Sequence, residues 1–428
     1  MELKKYKLAD IAKIEISGVD KKTIEGETPV RLCNFVDVYY NWAITKEKAK
    51  SFMAASAKQT EINKCSIGKG MVAITKDSET RDDIGVATYI ADDFENVVLG
   101  YHCALITPNP AVVDGKYLNA FMHTRYIQKY FENNASGSGQ RYTLSNDTIG
   151  NIPVLLPSVE EQHTIGKVLA DIDRKIELNK QINDNLEAMA KQLYDYWFVQ
   201  FDFPNEEGKP YKSSGGAMVW NEKLKREIPE GWYAENICKI AKILSGGTPS
   251  KAVDEYWNNG TIPFFGPTDC NGSVFQIKTA DYITQKGLEH CASSLFEEGI
   301  VIITARGSIG KLVIVGTPMA MNQSCYALQS KEGEYEYLYF LTTQLIDCLK
   351  AKGSGSVFKS IIASDIEHST LCVATENIVS DFCKKVKPLF EKLKANTIEI
   401  AELTKQRDEL LPLLMNGQAS VNYHLSDD

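Results

Sequence analysis

The sequence predicts an α+β fold with a pseudo-twofold internal repeat: two mixed α/β globular domains joined by two long antiparallel helices that form an intramolecular coiled coil. One observation behind this prediction is a helical stripe near residue 165 that recurs about 217 positions later. Another is that the repeat continues upstream into short apolar runs typical of buried strands. A third is the length of each stripe, which exceeds what one small domain can cover.

The repeat covers both helices and extends into the domains before them. Upstream, residues 70–75 match 299–304, residues 104–105 match 327–328, and residues 11–14 match 240–243. Each half is therefore predicted to be a globular segment followed by a long helix. In the helices, the matched residues are Ile165, Leu169, Ile172, Ile176, Asn179, Leu186 and Leu193 with Phe382, Val386, Leu389, Leu393, Asn396, Leu403 and Leu410.

The chain divides into successive predicted segments. These are a globular domain at 1–157, a long helix at 158–200, a turn-rich linker at 201–232, a second globular domain at 233–375, a second long helix at 376–417 and a tail at 418–428. In the first domain, apolar runs at 71–75, 96–100 and 152–156 predict buried strands. Residues 115–133 have the spacing of one amphipathic helix.

The first long helix has a start signal and needs a partner. Ser158 followed by Glu161 is a capping-box pattern. At 1.5 Å per residue, a helix over 159–197 is about 55 Å long, and the second long helix is the economical partner. Two alternatives stay open, in which the helices pack separately on their own domains or form a dimer. The residues predicted to pack between the helices are Ile172, Ile176, Asn179, Leu186, Leu193, Leu389, Leu393, Asn396, Leu403 and Leu410.

Two of these packing positions are polar. Asn179 and Asn396 stand at matching places in the two stripes. A polar residue in a helix seam fixes the register of the pair at some cost in stability. The alternative is that both side chains are exposed on a helix flank.

Composition and charge bear on whether the protein contacts a membrane, a metal ion or a nucleic acid. No run approaches the ~18 apolar residues of a membrane helix, and the N-terminus shows no signal peptide, so a cytoplasmic protein without membrane contact is expected. Cysteines and histidines are dispersed without the spacing of a metal site, so none is predicted. The net charge of −9 argues weakly against a nucleic-acid partner. Because no segment is net basic, DNA contact would depend on local patches or on partner subunits.

No catalytic motif is present in the sequence. The run from Gly307 to Lys311 lacks the spacing of a phosphate-binding loop, and Leu312 stands where a magnesium-binding hydroxyl belongs. The glycine-rich run at 353–360 fails in the same way, because Phe358 replaces the second glycine. Asp202 with residues 207–209 is only superficially like a nuclease metal site. The chain is therefore predicted to be non-catalytic.

Polar, aromatic and basic side chains cluster instead at loop-like positions. Such side chains can contact base edges or phosphates, although solvated loops contain the same types. In the first domain the candidates are Lys76, Ser78, Thr80, Arg81, Ser138, Gln140, Arg141 and Tyr142. In the second they are Thr248, Ser250, Lys251, Thr268, Arg306, Ser308, Gln323, Ser356 and Lys359, with Asp269 and Ser324 beside them.

Several stretches resemble a known family. The run from Ser245 to Lys251, followed by Tyr256 and Trp257, resembles the opening of a target-recognition domain in the specificity subunits of type I restriction-modification systems. The distal run at 407–412 with Leu414 is similar to the closing region of that family. The residues similar to its central conserved region are Glu161, Gln162, Ile172, Asp173, Lys175, Ile176, Asn179, Leu186, Glu187 and those at 197–199, 201–204, 214–216 and 228–232.

The resemblance covers nearly the full length and implies a function. It implies that 1–157 and 233–375 are two target-recognition domains, separated by two conserved long helices. It also implies a DNA-binding subunit without activity of its own, which assembles on double-stranded DNA with two methyltransferase subunits and with restriction subunits. In the family those partners bind S-adenosylmethionine, ATP and Mg, so no cofactor is expected in this chain. The DNA-contacting loops vary with the target, so the candidate residues above are not carried over by motif.

These inferences lead to one functional hypothesis and two rivals. Because the two domains differ outside their shared skeleton, each is expected to recognise a different half-site, which makes the DNA target bipartite and asymmetric. One rival is a protein-interaction scaffold that does not bind DNA, which the acidic charge favours slightly. The other is a self-contained restriction enzyme, for which nuclease and methyltransferase motifs are missing from the sequence.

Overall fold

The computed structural model describes residues 2–137, 140–352 and 360–421, and these form two compact units. The first unit consists of the residues up to Glu177 together with those from Glu402 onward. The second consists of residues 178–401. Each unit therefore holds one globular domain and one part of each long helix.

The globular domain of the first unit consists of short strands and short helices. The strands are β1 (Lys4–Lys7), β2 (Ala12–Ile16), β3 (Thr28–Cys33), β4 (Ala43–Ile44), β5 (Met53–Ala57), β6 (Val72–Thr75), β7 (Asp77–Ser78), β8 (Ala87–Ile90), β9 (Val97–Leu99), β10 (Cys103–Pro108), β11 (Ser136–Gly137), β12 (Tyr142–Thr143) and β13 (Pro153–Leu156). The helices are α1 (Leu8–Ile11), α2 (Phe35–Tyr39), α3 (Lys46–Ala49), α4 (Gln59–Cys65), α5 (Gly115–Met122), α6 (Arg125–Asn134) and α7 (Asn146–Gly150). The predicted strands at 71–75, 96–100 and 152–156 thus correspond to β6, β9 and β13.

The segment predicted as one helix over 115–133 is two helices. Helix α5 ends at Met122 and α6 begins at Arg125. The Thr124 hydroxyl accepts a hydrogen bond from the backbone N of Ile127 at 3.4 Å and so caps α6. A threonine side chain competes with the helical backbone for this donor, and the prediction of one continuous helix was wrong because the apolar spacing continues across the break.

The globular domain of the second unit has its own strands and helices. The strands are β14 (Met218–Asn221), β15 (Arg226–Pro229), β16 (Tyr233–Asn236), β17 (Ala241–Ser245), β18 (Ile262–Phe265), β19 (Phe275–Gln276), β20 (Asp281–Ile283), β21 (Val301–Thr304), β22 (Leu312–Val315), β23 (Ala320–Met321), β24 (Cys325–Ser330) and β25 (Thr370–Val373). The helices of this domain are α9 (Gln285–Glu289), α10 (Tyr335–Lys352) and α11 (Ala363–Glu367). The labels α8 and α12 belong to the two long helices, Val159–Tyr194 and Glu376–Met415. Single 3-10 turns occur at Ile237–Lys239, Asp254–Tyr256 and Pro267–Asp269.

Three sheets of the two units match strand for strand, whereas β11-β12-β7 and β14-β15 have no counterpart among the described residues. The five-stranded sheet β2-β10-β6-β8-β4 matches β17-β24-β21-β22-β19, and in both the last strand is parallel to its neighbour. The three-stranded sheet β5-β3-β9 matches β20-β18-β23, and the pair β1-β13 matches β16-β25. The internal repeat inferred from the sequence is therefore a repeat of topology.

The strand register corrects one detail of that repeat. The pairs Thr75–Cys103 and Thr304–Cys325 occupy the same place in the two sheets. Position 105 therefore matches 327, and the predicted match of 104–105 with 327–328 is wrong by one residue. Such a slip turns each side chain to the opposite face of the sheet. Because β10 and β24 bury residues on both faces, their apolar sequences did not reveal it.

The two long helices are α8 (Val159–Tyr194), continued by a π-helical turn at Asp195–Val199, and α12 (Glu376–Met415). Helix α8 begins with the predicted capping box. The backbone N of Glu161 donates to the Ser158 hydroxyl at 3.3 Å, and the backbone N of Ser158 donates to the Glu161 carboxylate at 3.1 Å.

Within each unit the two long helices pack against each other. In the second unit, Asn179 donates to the Glu399 carboxylate at 2.8 Å and Asn183 to the Thr397 hydroxyl at 3.3 Å. Partner numbers thus fall along α12 as they rise along α8, which makes the pair antiparallel. In the first unit, Leu169 shares a core with Leu414. The predicted α+β fold with an intramolecular helix pair is confirmed, and separate packing of the helices is excluded.

The turn-rich segment before the second domain is folded into the core of the second unit. Phe203 stacks on Trp232 with ring centroids 5.1 Å apart, and both side chains are buried. The Asp202 carboxylate accepts hydrogen bonds from the backbone N and the hydroxyl of Ser213, at 2.7 and 2.6 Å. These bonds lower the pKa of Asp202. Asp202 therefore stabilises a turn. The segment boundaries given above stay predictions.

Candidate nucleic-acid interface

The candidate residues of the first domain meet on a small antiparallel sheet. Its strand order is β11-β12-β7, with Ser78 opposite Tyr142. Lys76 lies just before β7, and its carbonyl accepts a hydrogen bond from the backbone N of Leu144 at 2.8 Å. The two groups of candidates, which are far apart in the sequence, are therefore adjacent in the structure.

A buried carboxylate, that of Asp77, lies at the centre of this sheet. Its Oδ2 atom is 2.9 Å from Lys76 Nζ, 2.6 Å from His102 Nδ1 and 3.6 Å from a guanidinium nitrogen of Arg141. Burial by itself would raise the pKa of Asp77, but hydrogen bonds from Thr143, His102 and Lys76 outweigh it and lower the pKa to about 2. Asp77 is therefore an anion near neutral pH that holds three basic side chains together.

Aromatic rings flank this charged cluster. The Arg81 guanidinium lies 5.0 Å from the centroid of the Tyr142 ring, and Lys76 Nζ lies 5.7 Å from that of Tyr101. Cations beside aromatic faces are suited to phosphates and to stacked bases. Ser138 lies outside the described residues. Of the other candidates, Thr80, Arg81, Gln140 and Arg141 are exposed, and Lys76, Ser78 and Tyr142 are partly buried.

In the second domain the candidate loops converge on the segment between β23 and β24. The backbone N of Asn322 donates to the Phe265 carbonyl at 3.0 Å, which joins this segment to the end of β18, just before Thr268. The side chain of Gln323 accepts a hydrogen bond from the Thr248 hydroxyl. Three loops that are distant in sequence are thus held side by side.

Arg306 and Ser308 lie on a tight loop after β21. The backbone N of Arg306 donates to the Ser324 carbonyl at 3.2 Å. The Thr304 hydroxyl donates to the Ser308 carbonyl and, at 3.3 Å, to that of Lys311. These bonds hold the loop backbone and leave the side chain of Arg306 exposed.

Lys251 lies beside an aromatic ring, as Arg81 does in the first domain. Its Nζ atom is 5.6 Å from the centroid of the Trp257 ring, and the Trp257 indole N–H donates to the Ser250 carbonyl at 3.1 Å. Thr268 is exposed. The neighbouring Asp269 accepts backbone hydrogen bonds from Gly266 and Ala280, both at 2.8 Å, so it stabilises a turn.

Two further candidates, Ser356 and Lys359, lie outside the described residues. The described chain resumes close to the Arg306 loop, because the backbone N of Ile361 donates to the Ala305 carbonyl at 2.9 Å. On the other side of the gap, α10 reaches the same loop, since Ile346 and Lys350 are the side chains closest to Gly310.

The loops of the two domains occupy equivalent places on the repeated skeleton. In the first domain, the backbone N of Lys76 donates to the His102 carbonyl at 2.8 Å. In the second, the backbone N of Ala305 donates to the Ser324 carbonyl, also at 2.8 Å. The register then places Arg306 where the first domain has Asp77. One skeleton thus carries a carboxylate in one unit and a guanidinium in the other.

Sequence reasoning missed several side chains of these surfaces. In the first domain they are Asp77, Tyr101 and His102, and in the second they include Trp257 and Lys350. A carboxylate is not expected at a surface that contacts phosphates, so residue type gave no signal for Asp77. His102 has φ 74°, a left-handed conformation that is uncommon for a residue other than glycine and that no sequence pattern reveals.

The predicted helix-packing residues lie at varied depths in the two units. Ile176, Asn179, Leu393 and Asn396 are buried, whereas Ile172, Leu186, Leu193, Leu389, Leu403 and Leu410 are partly buried. Asn396 donates to the side-chain oxygen of Asn183 at 2.9 Å. Asn179 and Asn396 are therefore seam residues rather than exposed flank residues, and each bonds to the facing helix. Asn183 was missed because it lies outside the matched stripe.

Neither a disulfide nor a metal-binding group of side chains is found among the described residues. The ten cysteines are free thiols, and burial raises the pKa of both Cys103 and Cys325 to about 12, so these two are protonated core side chains. Across residues 2–137, 140–352 and 360–421, no three His, Cys, Asp or Glu side chains form a group that could hold a metal ion. In the same ranges, no helix is long and apolar enough to cross a membrane.

Comparison with known proteins identifies the repeat. The family described as the type I restriction modification DNA specificity domain matches residues 1–188 and again residues 229–373. The chain belongs to this family. Membership supports a role in DNA sequence recognition, and the two matched stretches cover the two repeated sets of sheets.

Individual relatives agree with this family assignment. The chain is similar to the specificity subunit of the type I restriction enzyme MjaIX from Methanocaldococcus jannaschii, with 29% identity over 74% of this chain and 71% of the relative. It is also similar to the specificity subunit of the type I restriction enzyme HindI from Haemophilus influenzae, with 25% identity over 80% and 85%. A crystal structure of the S subunit of a type I restriction-modification system from M. genitalium shares the fold, with TM-score 0.58, 15% identity and coverage of 97% and 96%.

Proposed function

We propose that this chain is the DNA-recognition subunit of a type I restriction-modification complex and that it binds an asymmetric bipartite target, with one half-site for each globular domain. The observation that carries the proposal is the equivalence of the two loop surfaces. The loop after β6 and the loop after β21 follow equivalent strands of the repeated five-stranded sheet and make corresponding backbone hydrogen bonds, yet Asp77 in one occupies the place of Arg306 in the other. A shared skeleton with different side chains is what two different half-sites require.

The side chains of both surfaces fit DNA. Arg and Lys can donate to guanine O6 and N7 or to phosphates, while Gln, Ser and Thr can pair with base edges. In the first domain Arg81 and Arg141 are exposed, and in the second Lys251, Arg306 and Gln323 are exposed. The aromatic rings beside Arg81 and Lys251 limit the orientations of these cations, which lowers the entropy lost on binding.

The long helices are proposed to scaffold two methyltransferase subunits and, through them, the restriction subunits. The support is apolar side chains that α8 and α12 leave in solvent. Leu178 and Met189 on α8 are 50% and 56% exposed, and Leu413 on α12 is 41% exposed. Such side chains contribute to a contact surface when a partner protein covers them and removes their apolar area from water. S-adenosylmethionine, ATP and Mg are assigned to those partners, which leaves this chain a non-catalytic role.

The acidic balance of the chain favours one other function, a scaffold that binds only proteins. The net charge is −9, whereas proteins that bind DNA usually carry a basic footprint. Under our proposal the partner subunits supply part of the positive surface around the DNA. The two functions differ in their response to salt, because phosphate contacts release counterions and make DNA affinity fall steeply as salt rises.

Methylome sequencing tests the proposed function. The chain would be expressed with its methyltransferase subunits in a host without other DNA methylation, and a strain without this chain would be the control. We expect one methylated motif with two different half-sites separated by unspecified bases. A continuous motif, a palindrome, or the same methylation in the control strain would contradict the proposal. Absence of specific, salt-dependent DNA binding by the purified complex would support the scaffold instead.

A further inference from the structure

A strained loop joins β9 to β10 beside the candidate DNA surface of the first domain. His102 in this loop has φ 74°, a left-handed conformation that is unfavourable for a side chain with a Cβ. Such strain persists only where the surroundings hold it, and it is concentrated at functional sites. Here the His102 carbonyl accepts from the backbone N of Lys76 at 2.8 Å, and the ring lies 2.6 Å from the Asp77 carboxylate. The loop is therefore fixed at both its backbone and its side chain.

The ring of His102 is surrounded by charged and titratable groups. The Asp77 carboxylate and the Lys76 ammonium approach from the β7 side. From the segment before β12, a guanidinium nitrogen of Arg141 lies 3.0 Å from Nε2 and also contacts Nδ1. In the same loop, the ring of Tyr101 has its centroid 3.9 Å from that of His102, and the buried Cys103 thiol follows.

These contacts link the charge of His102 to the position of Arg141. In the neutral ring Nδ1 can donate to Asp77, and the Arg141 guanidinium lies against the ring in contact with both of its nitrogens. A protonated ring has N–H groups at both nitrogens, so it keeps the bond to Asp77 but repels Arg141. Nε2–H and the released guanidinium are then two donors beside each other, which suits the acceptor oxygens of a DNA phosphate.

We propose that His102, positioned by Asp77, is an additional DNA contact of the first domain, and that it takes up a proton when DNA binds. This inference rests on the proposed function. The face of the cluster is open to a ligand, since Tyr101 is 44% exposed and the Arg141 side chain 56% exposed. Uptake of the proton balances the negative charge of the phosphate, so DNA binding strengthens as pH falls.

The pH dependence of DNA binding tests this inference. The full chain, assembled with its methyltransferase subunits, would be titrated with a short duplex carrying the motif found by methylome sequencing. Ionic strength would be constant, and pH would range from about 6 to about 8. For the wild-type chain we expect Kd to be about threefold to tenfold lower at pH 6 than at pH 8. Uptake of one proton can change Kd by at most about tenfold per pH unit.

A substitution at position 102 should remove this dependence. In His102→Asn the new side chain tolerates positive φ and can still donate to Asp77, but it cannot take up a proton. We expect a nearly constant Kd, about equal to wild type at the high-pH end and about threefold to tenfold weaker at the low-pH end. His102→Gln, with its longer side chain, should behave in the same way.

His163→Asn is the matched control. His163 also faces a carboxylate, with Nδ1 2.9 Å from Asp114, but its side chain is 62% exposed and it belongs to the long helix α8 and not to a candidate loop. This variant should keep the wild-type pH profile.

Two results would overturn the inference while leaving DNA recognition intact: specific binding by the wild-type chain that does not change with pH, or a wild-type pH profile in a folded His102→Asn variant. Absence of specific binding by the wild-type complex at every pH would instead refute the proposed function itself.

Discussion

One pair of matched positions on the long helices holds charged side chains in the first unit and apolar side chains in the second. In the first unit, Arg407 of α12 lies 3.7 Å from Asp173 of α8 and 4.7 Å from the centroid of the Trp42 ring. The repeat matches these two helix positions with Ala190 and Phe390 in the second unit. Ala190 is fully buried and Phe390 is 1% exposed. The rings in contact with Phe390 are Phe275, Tyr335, Tyr339 and Phe340.

This difference shows how one helix pair can hold two unlike domains. At these matched positions the first unit has an ion pair between the two long helices and a cation–π contact to the domain, both of which lose much of their attraction to desolvation. The second unit has a cluster of aromatic rings at the same positions, whose contribution grows with the apolar area removed from water. We therefore expect the contacts at these positions to be stronger in the second unit, and those in the first unit to respond to pH.

The largest expected effect is that of Phe390→Ala. Removing this buried ring leaves a cavity among the surrounding aromatic side chains, so the second unit should lose about 3–5 kcal/mol of unfolding free energy. Hydrogen exchange in α10, measured on the intact chain, would report the loss. Phe390→Leu, which keeps most of the volume, should lose less. Unchanged protection of α10 in the alanine variant would disprove the stabilising role of these aromatic contacts.

The next effect is a pH dependence of the first unit, through His123. The His123 ring stacks on Trp42 with centroids 4.2 Å apart, and burial together with the Arg407 charge lowers the pKa of His123 to about 4. The unfolded chain takes up this proton near pH 6.5 and the folded one near pH 4. Stability is thus complete above about pH 6.5 and falls, by about 3 kcal/mol, as pH approaches 4.

His123→Gln provides the control for that pH dependence. The glutamine cannot take up a proton, so the part of the pH dependence that comes from position 123 should disappear from hydrogen exchange in the first unit. The matched position in the second unit is Thr343, which does not titrate. An equal loss of stability in both units between pH 6.5 and 4 would contradict this assignment.

A matched pair of substitutions sharpens the comparison at the DNA surfaces. Arg141→Ala should weaken recognition of the first half-site by about 1–3 kcal/mol if the side chain contacts a base, and Arg306→Ala should do the same for the second. Binding would be measured on duplexes in which one half-site at a time is scrambled. A loss that is equal on all duplexes would instead make the residue a phosphate contact.

The smallest expected effect is that of Arg407→Gln. The Arg407 side chain is 19% exposed, and its loss removes a partly solvated ion pair and a cation–π contact, together about 1 kcal/mol. Thermal unfolding of the first unit would be compared with that of Lys405→Gln, a substitution of an exposed lysine on the same helix. An effect as large as that of Phe390→Ala would show that the contacts at these positions are equally strong in the two units.

Much of the fold could be predicted because it depends on local patterns. The start of α8 follows from Ser158 and Glu161, which are three residues apart, and the helical stripes follow from a regular spacing. The break between α5 and α6 was missed because Thr124 acts through a single hydrogen bond that leaves the apolar spacing unchanged. The slip of one residue at 104–105 arose because strands buried on both faces carry no alternation.

The candidate site was only partly predictable. The exposed cations Arg81, Arg141 and Arg306 could be selected by residue type and loop position, and whether each contacts DNA stays a prediction. The side chains that surround these cations could not be predicted from residue type and loop position. Asp77 and His102 come from segments that are far apart in sequence, and the bond between them depends on how β10 pairs with β6.

The sequence by itself determined the internal repeat, the two helical stripes and the resemblance to a DNA specificity family, because these are properties of spacing along the chain. Only the tertiary structure decided which side chains meet. It placed a carboxylate below the cations of the first DNA surface and a guanidinium at the equivalent position of the second, and it matched an ion pair in one unit with aromatic packing in the other. The reason is physical: contacts between distant segments depend on strand register and on the volume left between elements, and neither is encoded in any short stretch of residues.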